Sequence, residues 1–162
     1  TASEFINAYF EAMPAVVNII QGLKDYAEEY GYVKTITGRK INIENAQSSD
    51  YKSKASALRA ASNAPMQGSA SDIIKIAMIK VDHELRARQL DAKINMQVHD
   101  ELIIDCDESQ AMEVARVLKH CMENAVKLSV PLDVDVGIGE NWENAHPVEI
   151  QNTHDDLEPQ MT

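Results

Sequence analysis

A chain of 162 residues is long enough to bury one sizeable core, and 44% apolar with 25% charged residues is ordinary globular usage. No apolar run approaches the roughly 20 residues of a bilayer span, which excludes a membrane protein. The formal net charge of −11 argues, taken as an average, against a polyanionic partner, but the charge is unevenly spread. Residues 1–80 carry nine Lys/Arg against eight Asp/Glu, whereas residues 81–162 carry six against eighteen.

Thr1-Ala-Ser-Glu4 has the form of a capping box, so a helix is expected from the first residues. Phe5, Ile6, Tyr9, Phe10 and Met13 recur at helical spacing. Pro14 interrupts them, and Val16, Val17, Ile20, Leu23 and Ala27 resume the stripe up to Gly31. Two helices meeting at Pro14 follow. Tyr32-Val-Lys-Thr-Ile36 and Ile41-Asn-Ile43 alternate around Thr37-Gly38-Arg39, which predicts a hairpin, and 44–50 is a polar loop. Within 34–59, Lys34, Arg39, Lys40, Lys52, Lys54 and Arg59 face only Glu44 and Asp50, a basic stretch suited to an anion.

From Tyr51 to about Arg88 the composition is helical, with Ile73, Ile74, Ala77, Met78, Val81 and Leu85 on one face. Pro65 and Gly68 predict a bend or break over 63–69. Ile94, Met96 and Val98 alternate with polar residues, and Leu102-Ile-Ile-Asp-Cys106 answers them after His99, Asp100 and Glu101, giving two strands and a tight connection. A helix is expected over 109–127, a third alternating strand over 131–136, and a polar, disordered tail over 147–162. The fold class expected is α+β, an antiparallel hairpin and a third strand packed on long helices. Cys106 and Cys121 have neither the spacing of a disulfide scaffold nor that of a zinc knuckle, and a reducing cytoplasm suits them. Both are read as packing residues. Met66, Met78, Met96, Met112 and Met122 are read as core fillers, and Trp142 as an anchor for the C-terminal segment.

Two constellations ask for more than packing. His99-Asp100-Glu101 at a strand–turn–strand junction offers hard carboxylate ligands of the kind Mg²⁺ takes together with substrate phosphates. Arg59, Asn63 and Gln67, spaced four and four, share a helix face, where a guanidinium and two amides can donate to the minor-groove acceptors present in every correct base pair.

Three segments then go together. Arg59-Ala-Ala-Ser-Asn-Ala-Pro-Met-Gln-Gly-Ser-Ala-Ser-Asp-Ile-Ile-Lys75, Met96-Gln-Val-His-Asp-Glu-Leu-Ile103 and Gly137-Ile-Gly-Glu-Asn-Trp142 closely resemble, in order and spacing, the C-terminal part of family A DNA polymerases. Tyr9-Phe-Glu-Ala-Met-Pro14 and Gly31-Tyr-Val-Lys-Thr-Ile-Thr-Gly-Arg39 are similar to that family's end-of-fingers segment. The resemblance runs from about Tyr9 to His146.

It implies that Asp100 is a Mg²⁺ ligand in the palm motif called C, with Glu101 beside it in a lesser catalytic and metal-binding role. It implies that His99 contacts the primer end. Arg59, Asn63 and Gln67 correspond to residues touching the template–primer duplex, the last two from the minor-groove side, and the basic 34–59 stretch would lie near phosphates. The implied reaction is two-metal transfer of a dNMP from a dNTP to a primer 3′-hydroxyl, in replication or repair. The family's other metal-binding aspartate, in motif A, and its triphosphate-holding fingers helix have no match in this chain. Residues 1–50 therefore read as the end of the fingers, 51–146 as the motif C half of the palm and 147–162 as a tail, excised from a larger cytoplasmic, organellar or phage polymerase. Alone, the chain is expected to be inactive and to self-associate through an unpaired sheet edge. The alternative is a DNA-binding module that performs no chemistry.

Overall fold

In the computed structural model, which describes residues 2–150, the chain divides after Asp72 into two units. The first holds α1 (Ala2–Ala12), α2 (Pro14–Tyr30), β1 (Tyr32–Lys34), β2 (Lys40–Asn42) and the first part of α3 (Tyr51–Ala87). The second holds the rest of α3, β3 (Ala92–Val98), β4 (Glu101–Cys106), a 3-10 turn at Glu108–Gln110, α4 (Ala111–Glu123), β5 (Gly137–Ile138) and β6 (His146–Pro147). The class is α+β as expected, with three two-stranded antiparallel ladders among the described residues.

In the first unit the turn chemistry acts where the sequence places it. Pro14 opens α2, where a missing amide costs nothing, and Gly31 closes it at φ 76°, its N–H bonding the Ala27 carbonyl at 2.8 Å. Gly38, at φ 85°, lies in the β1–β2 turn, and Val33 pairs with Ile41. The capping box rests on Thr1, outside the described residues. Ala27, Val33, Ile43, Ala46, Ala57 and Ala61 form the core, with Leu23, Ile41, Leu58 and Ala64 against it. The small alanines let backbones approach closely. In α1 no residue is buried, and Phe5, Ile6 and Tyr9 are exposed.

Of the bend or break expected over 63–69, the break does not occur, because α3 runs through Pro65 as one helix. Proline removes the amide that the Ala61 carbonyl would accept and would ordinarily kink the helix. Here tertiary contacts hold the turn: Pro65 is buried, and the Ser69 hydroxyl donates to its carbonyl at 2.5 Å. Gly68 is a point of close approach rather than a loosened turn. A Cβ there would sit 2.5 Å from Ile41 Cδ1 and 2.8 Å from Thr35 Cγ2.

In the second unit, Ile74, Val81, Leu85, Leu102, Val114, Val117 and Cys121 form the core, with Ala92, Ile94, Ile104 and Cys106 packed on it. The single alternation expected for Ile94, Met96 and Val98 is interrupted by a bulge at Asn95, where the register shifts from Ile94↔Ile104 to Met96↔Ile103. One extra residue turns everything after it to the other face. Ile94 therefore packs with Ile104 on the core, whereas Met96 and Val98 lie opposite Ile103 and Glu101 on the outer face.

The third strand does not form over 131–136. That segment has no regular secondary structure and buries Val136, but the backbone of Val134 finds side-chain partners. Lys119 Nζ donates to the Val134 carbonyl at 2.6 Å, and Val134 N–H donates to Glu123 Oε1 at 3.3 Å. Ladder pairing begins only at Gly137, opposite Pro147. Three methionines depart from the core reading: Met66, Met96 and Met112 are exposed, whereas Met78 and Met122 pack on the core. Trp142 is 54% exposed and belongs to neither core. Cys121 is buried and Cys106 half-buried, in keeping with packing roles.

Candidate functional site

On α3, Arg59, Asn63 and Gln67 form one exposed stripe with Met66 and Ala70. At about 100° per residue, Pro65, Gly68, Ser69 and Asp72 cluster on the opposite side of the helix. Burial follows this division, since Pro65 and Asp72 are buried and Gly68 and Ser69 half-buried. None of Arg59, Asn63 and Gln67 makes a hydrogen bond or ion pair among the described residues, so their donors are free for a ligand. An open groove of about 350 Å³ beside Arg59 is lined by Lys24, Tyr51, Lys54, Ala55 and Leu58. It holds three cations and no carboxylate. Lys54 is already paired with Glu28 at 2.5 Å, which leaves Lys24 and Arg59 unpaired.

The basic 34–59 stretch is less available than its composition suggests. Arg39 is held by Asp72 at 2.8 Å, and Lys40 lies 4.4 Å from the centre of the Tyr32 ring. Lys34 and Lys52 carry no hydrogen bond or ion pair.

The other residues singled out occupy the β3–β4 tip. Val98 pairs with Glu101, leaving His99 and Asp100 as a two-residue turn. His99 takes φ 52°, a left-handed conformation costing a non-glycine residue roughly 1–2 kcal/mol. Gln97 Nε2 donates to the His99 carbonyl at 2.6 Å across this bend. His99, Asp100 and Glu101 are all exposed, and neither carboxylate has a hydrogen bond or ion pair. Two adjacent, unpartnered carboxylates on a hairpin tip are chemically suited to Mg²⁺, which takes one or two such ligands and completes its shell with water and phosphate oxygens. They do not make a closed site, since no cluster of three His, Cys, Asp or Glu side chains suited to a metal occurs among the described residues.

One cluster had no role in the sequence reading. Asp72 is buried and receives Thr37 Oγ1 at 2.6 Å and Arg39 Nε at 2.8 Å. Because the single Thr37 proton goes to Asp72, Thr35 is the donor in its 2.9 Å contact with Thr37. The Thr37 hydroxyl first, then Thr35 and the Arg39 guanidinium, hold the Asp72 carboxyl down at about 2. The Thr-x-Thr-x-Arg spacing before an aspartate on a later helix was the available signal. It specifies no fold partner by itself.

An α+β chain with two unpaired carboxylates on a hairpin tip in one unit and two amides and a guanidinium on an exposed helix face in the other presents groups suited to a hard cation and to hydrogen-bond acceptors. Residues 1–144 match DNA polymerase family A, and the chain belongs to that family. It is 44% identical over 141 residues to DNA polymerase I of Caldicellulosiruptor bescii, covering 87% of this chain and 17% of that protein. It is 39% identical over 145 residues to DNA polymerase I of Pseudomonas aeruginosa, covering 90% and 16%. The POL domain of Pol1 from M. smegmatis, solved in complex with DNA primer-template and dNTP, superposes with a TM-score of 0.85 at 39% identity, covering 89% of this chain and 25% of that one. The chain thus spans about a sixth of the length of these curated relatives. Among the described residues no helix is long and apolar enough to cross a membrane.

Proposed function

We propose that this chain is the segment of a DNA-directed DNA polymerase, acting in replication or repair, that supplies a metal-ligating carboxylate pair and a duplex-sensing helix face. Residues 1–50 belong on this reading to the end of the fingers and 51–146 to the motif C half of the palm. The observation that carries it is the tip of β3–β4, where a two-residue turn presents Asp100 and Glu101 exposed and unpaired in a segment matching the family. Asp100 and Glu101 would hold Mg²⁺, which when bound neutralises charge on the reacting phosphates and favours ionisation of the nucleophile. In the reaction a primer 3′-oxygen forms a bond to the α-phosphorus of a dNTP, and the bond to pyrophosphate breaks. Asp100 contributes fixed negative charge at the tip, His99 orients the primer terminus, and the amides of Asn63 and Gln67 donate to minor-groove acceptors shared by all correct pairs. Arg59, beside unpaired Lys24, contributes cationic contact to the phosphate backbone.

The partners are template–primer DNA, dNTP and the remainder of a polymerase, and the compartment is the cytoplasm. The β3–β4 ladder has no third strand among the described residues, which supports self-association of the 162-residue chain. A second reading, DNA binding without chemistry, is favoured for the 162-residue chain by itself, because its tip supplies only two carboxylates and among the described residues no third ligand clusters with them. Both readings meet one test. A polymerase carrying this segment is made by replacing the matched segment of the Pseudomonas aeruginosa enzyme with residues 1–144. Template-directed, Mg²⁺-dependent primer extension by the chimera, with none by the 162-residue chain, is the expected result. A folded chimera that binds primer–template but does not extend it overturns the catalytic reading.

A further inference from the structure

We propose that the tip of the β1–β2 hairpin is a brace that fixes the aim of the exposed face of α3, making Thr37, Arg39 and Asp72 positioning residues for Asn63 and Gln67; this rests on the duplex-sensing role given above to those two amides.

The need for a brace comes from Pro65. It lies between Asn63 and Gln67 and removes a backbone hydrogen bond from that turn of α3, where proline is one of the few causes of helix kinks above about 20°. Two amides that must meet minor-groove acceptors together do not tolerate such a bend, because a hydrogen bond weakens steeply once its geometry is lost.

The hairpin grips this turn from behind. Ile36 N–H donates to Ser69 Oγ at 2.9 Å, and that hydroxyl donates onward to the Pro65 carbonyl at 2.5 Å. Arg39 spans the next turn, with Nη2 on the Gly68 carbonyl at 3.1 Å and Nε on Asp72 Oδ1 at 2.8 Å, while Thr37 takes Oδ2 at 2.6 Å. Thr35 Oγ1 accepts the Arg39 N–H at 3.2 Å, which fixes the tip internally. The missing side chain of Gly68 lets Ile41 and Thr35 press directly on the helix. Apolar contact sets the spacing of hairpin and helix. The directional bonds fix the helix's rotation, and they act on the side opposite Asn63 and Gln67, which leaves the sensing face open.

A brace and a merely stabilising cluster differ in how they couple to Gln67. In the polymerase carrying this segment, primer–template affinity is measured for Gln67→Ala, Asp72→Asn and the pair. Each single change should weaken affinity about fivefold, the loss of roughly one hydrogen bond, with the KM for dNTP unchanged. Once the brace is gone Gln67 has little left to lose, so the pair should be within about twofold of the weaker single variant, where independent sites would multiply to about 25-fold. The same cycle with Thr37→Val, at an exposed position, gives the readout if Asp72→Asn does not fold. Discrimination against a mismatched primer terminus should fall in parallel in both backgrounds. Multiplicative losses, or an Asp72→Asn or Thr37→Val enzyme with unchanged affinity, overturn the brace alone. An unchanged affinity for Gln67→Ala by itself overturns the duplex-sensing role and the brace with it.

Discussion

A glycine inside a helix ordinarily weakens it, and replacing it by alanine at an open position gains about 0.8–1 kcal/mol. Gly22, in the middle of α2, has nothing within 4 Å of a built Cβ, so Gly22→Ala should stabilise the chain by about that amount. Gly68 is also mid-helix, yet its Cβ would lie 2.5 Å from Ile41 Cδ1 and 2.8 Å from Thr35 Cγ2. Ile41 can swing the end of its side chain away. Thr35 cannot, because it is β-branched, buried, and held by hydrogen bonds to Arg39 N–H and Thr37. Overpacking of this kind costs about 1–3 kcal/mol, which exceeds the propensity gain and reverses the sign. With a urea m-value of about 2 kcal/mol/M, Gly68→Ala should lower the unfolding midpoint by about 0.5 M, and Gly22→Ala should raise it by about as much. Urea titration of the 162-residue chain by circular dichroism reads both. If Gly68→Ala raises the midpoint as Gly22→Ala does, the hairpin does not press on α3 and the close-approach argument fails.

The same logic extends to charge, backbone and thiols. Asp72 is held down at about 2, so its stabilising contribution is full above about pH 4 and is lost as pH falls towards 2. Asp72→Asn should be less stable at neutral pH and flatter across that window in an acid titration, and an unchanged profile would count against the cluster. His99→Gly should relieve the positive φ and stabilise by up to about 1 kcal/mol, whereas His99→Val should destabilise by about 1–2 kcal/mol, the opposite order being the failing result in urea titration. Burial pushes the Cys121 thiol up to about 11 and raises Cys106 less, so mass spectrometry after alkylation at pH 8 should find Cys106 modified first. Equal rates in the native chain would show that Cys121 is not shielded.

The elements defined by local rules were legible in the sequence. Pro14 and Gly31 bound α2 because a missing amide and a left-handed cap act within one turn of the chain, and the helix expected over 109–127 forms as α4 with Cys121 buried, in keeping with its packing role. Failures came where distant partners decide. Pro65 and Gly68 read locally as a bend or break, but a hairpin some thirty residues earlier bonds Ser69 and Asp72, and α3 is continuous. The 131–136 alternation read as a strand, but Lys119 and Glu123 take the Val134 carbonyl and N–H that a strand would have paired. The Asn95 bulge left no period-2 signal, so the core reading of Met96 fails, and it is exposed. Among site residues, Arg59, Asn63 and Gln67 were legible as one face because i, i+4 spacing suffices once a helix forms. The bond of Arg39 to Asp72 was not, since composition alone makes every cation in a basic stretch equally free.

The most direct measurement of the central claim is single-turnover primer extension by the polymerase carrying this segment, with and without Asp100→Asn. The amide keeps the shape of the hairpin tip but removes the charge that would hold Mg²⁺. The rate of dNMP addition should therefore fall about a thousandfold or more, roughly 4 kcal/mol of barrier, with primer–template affinity within about threefold of the parent. Extension by Asp100→Asn at the parental rate would contradict the assignment of this hairpin tip to the chemistry of nucleotide transfer.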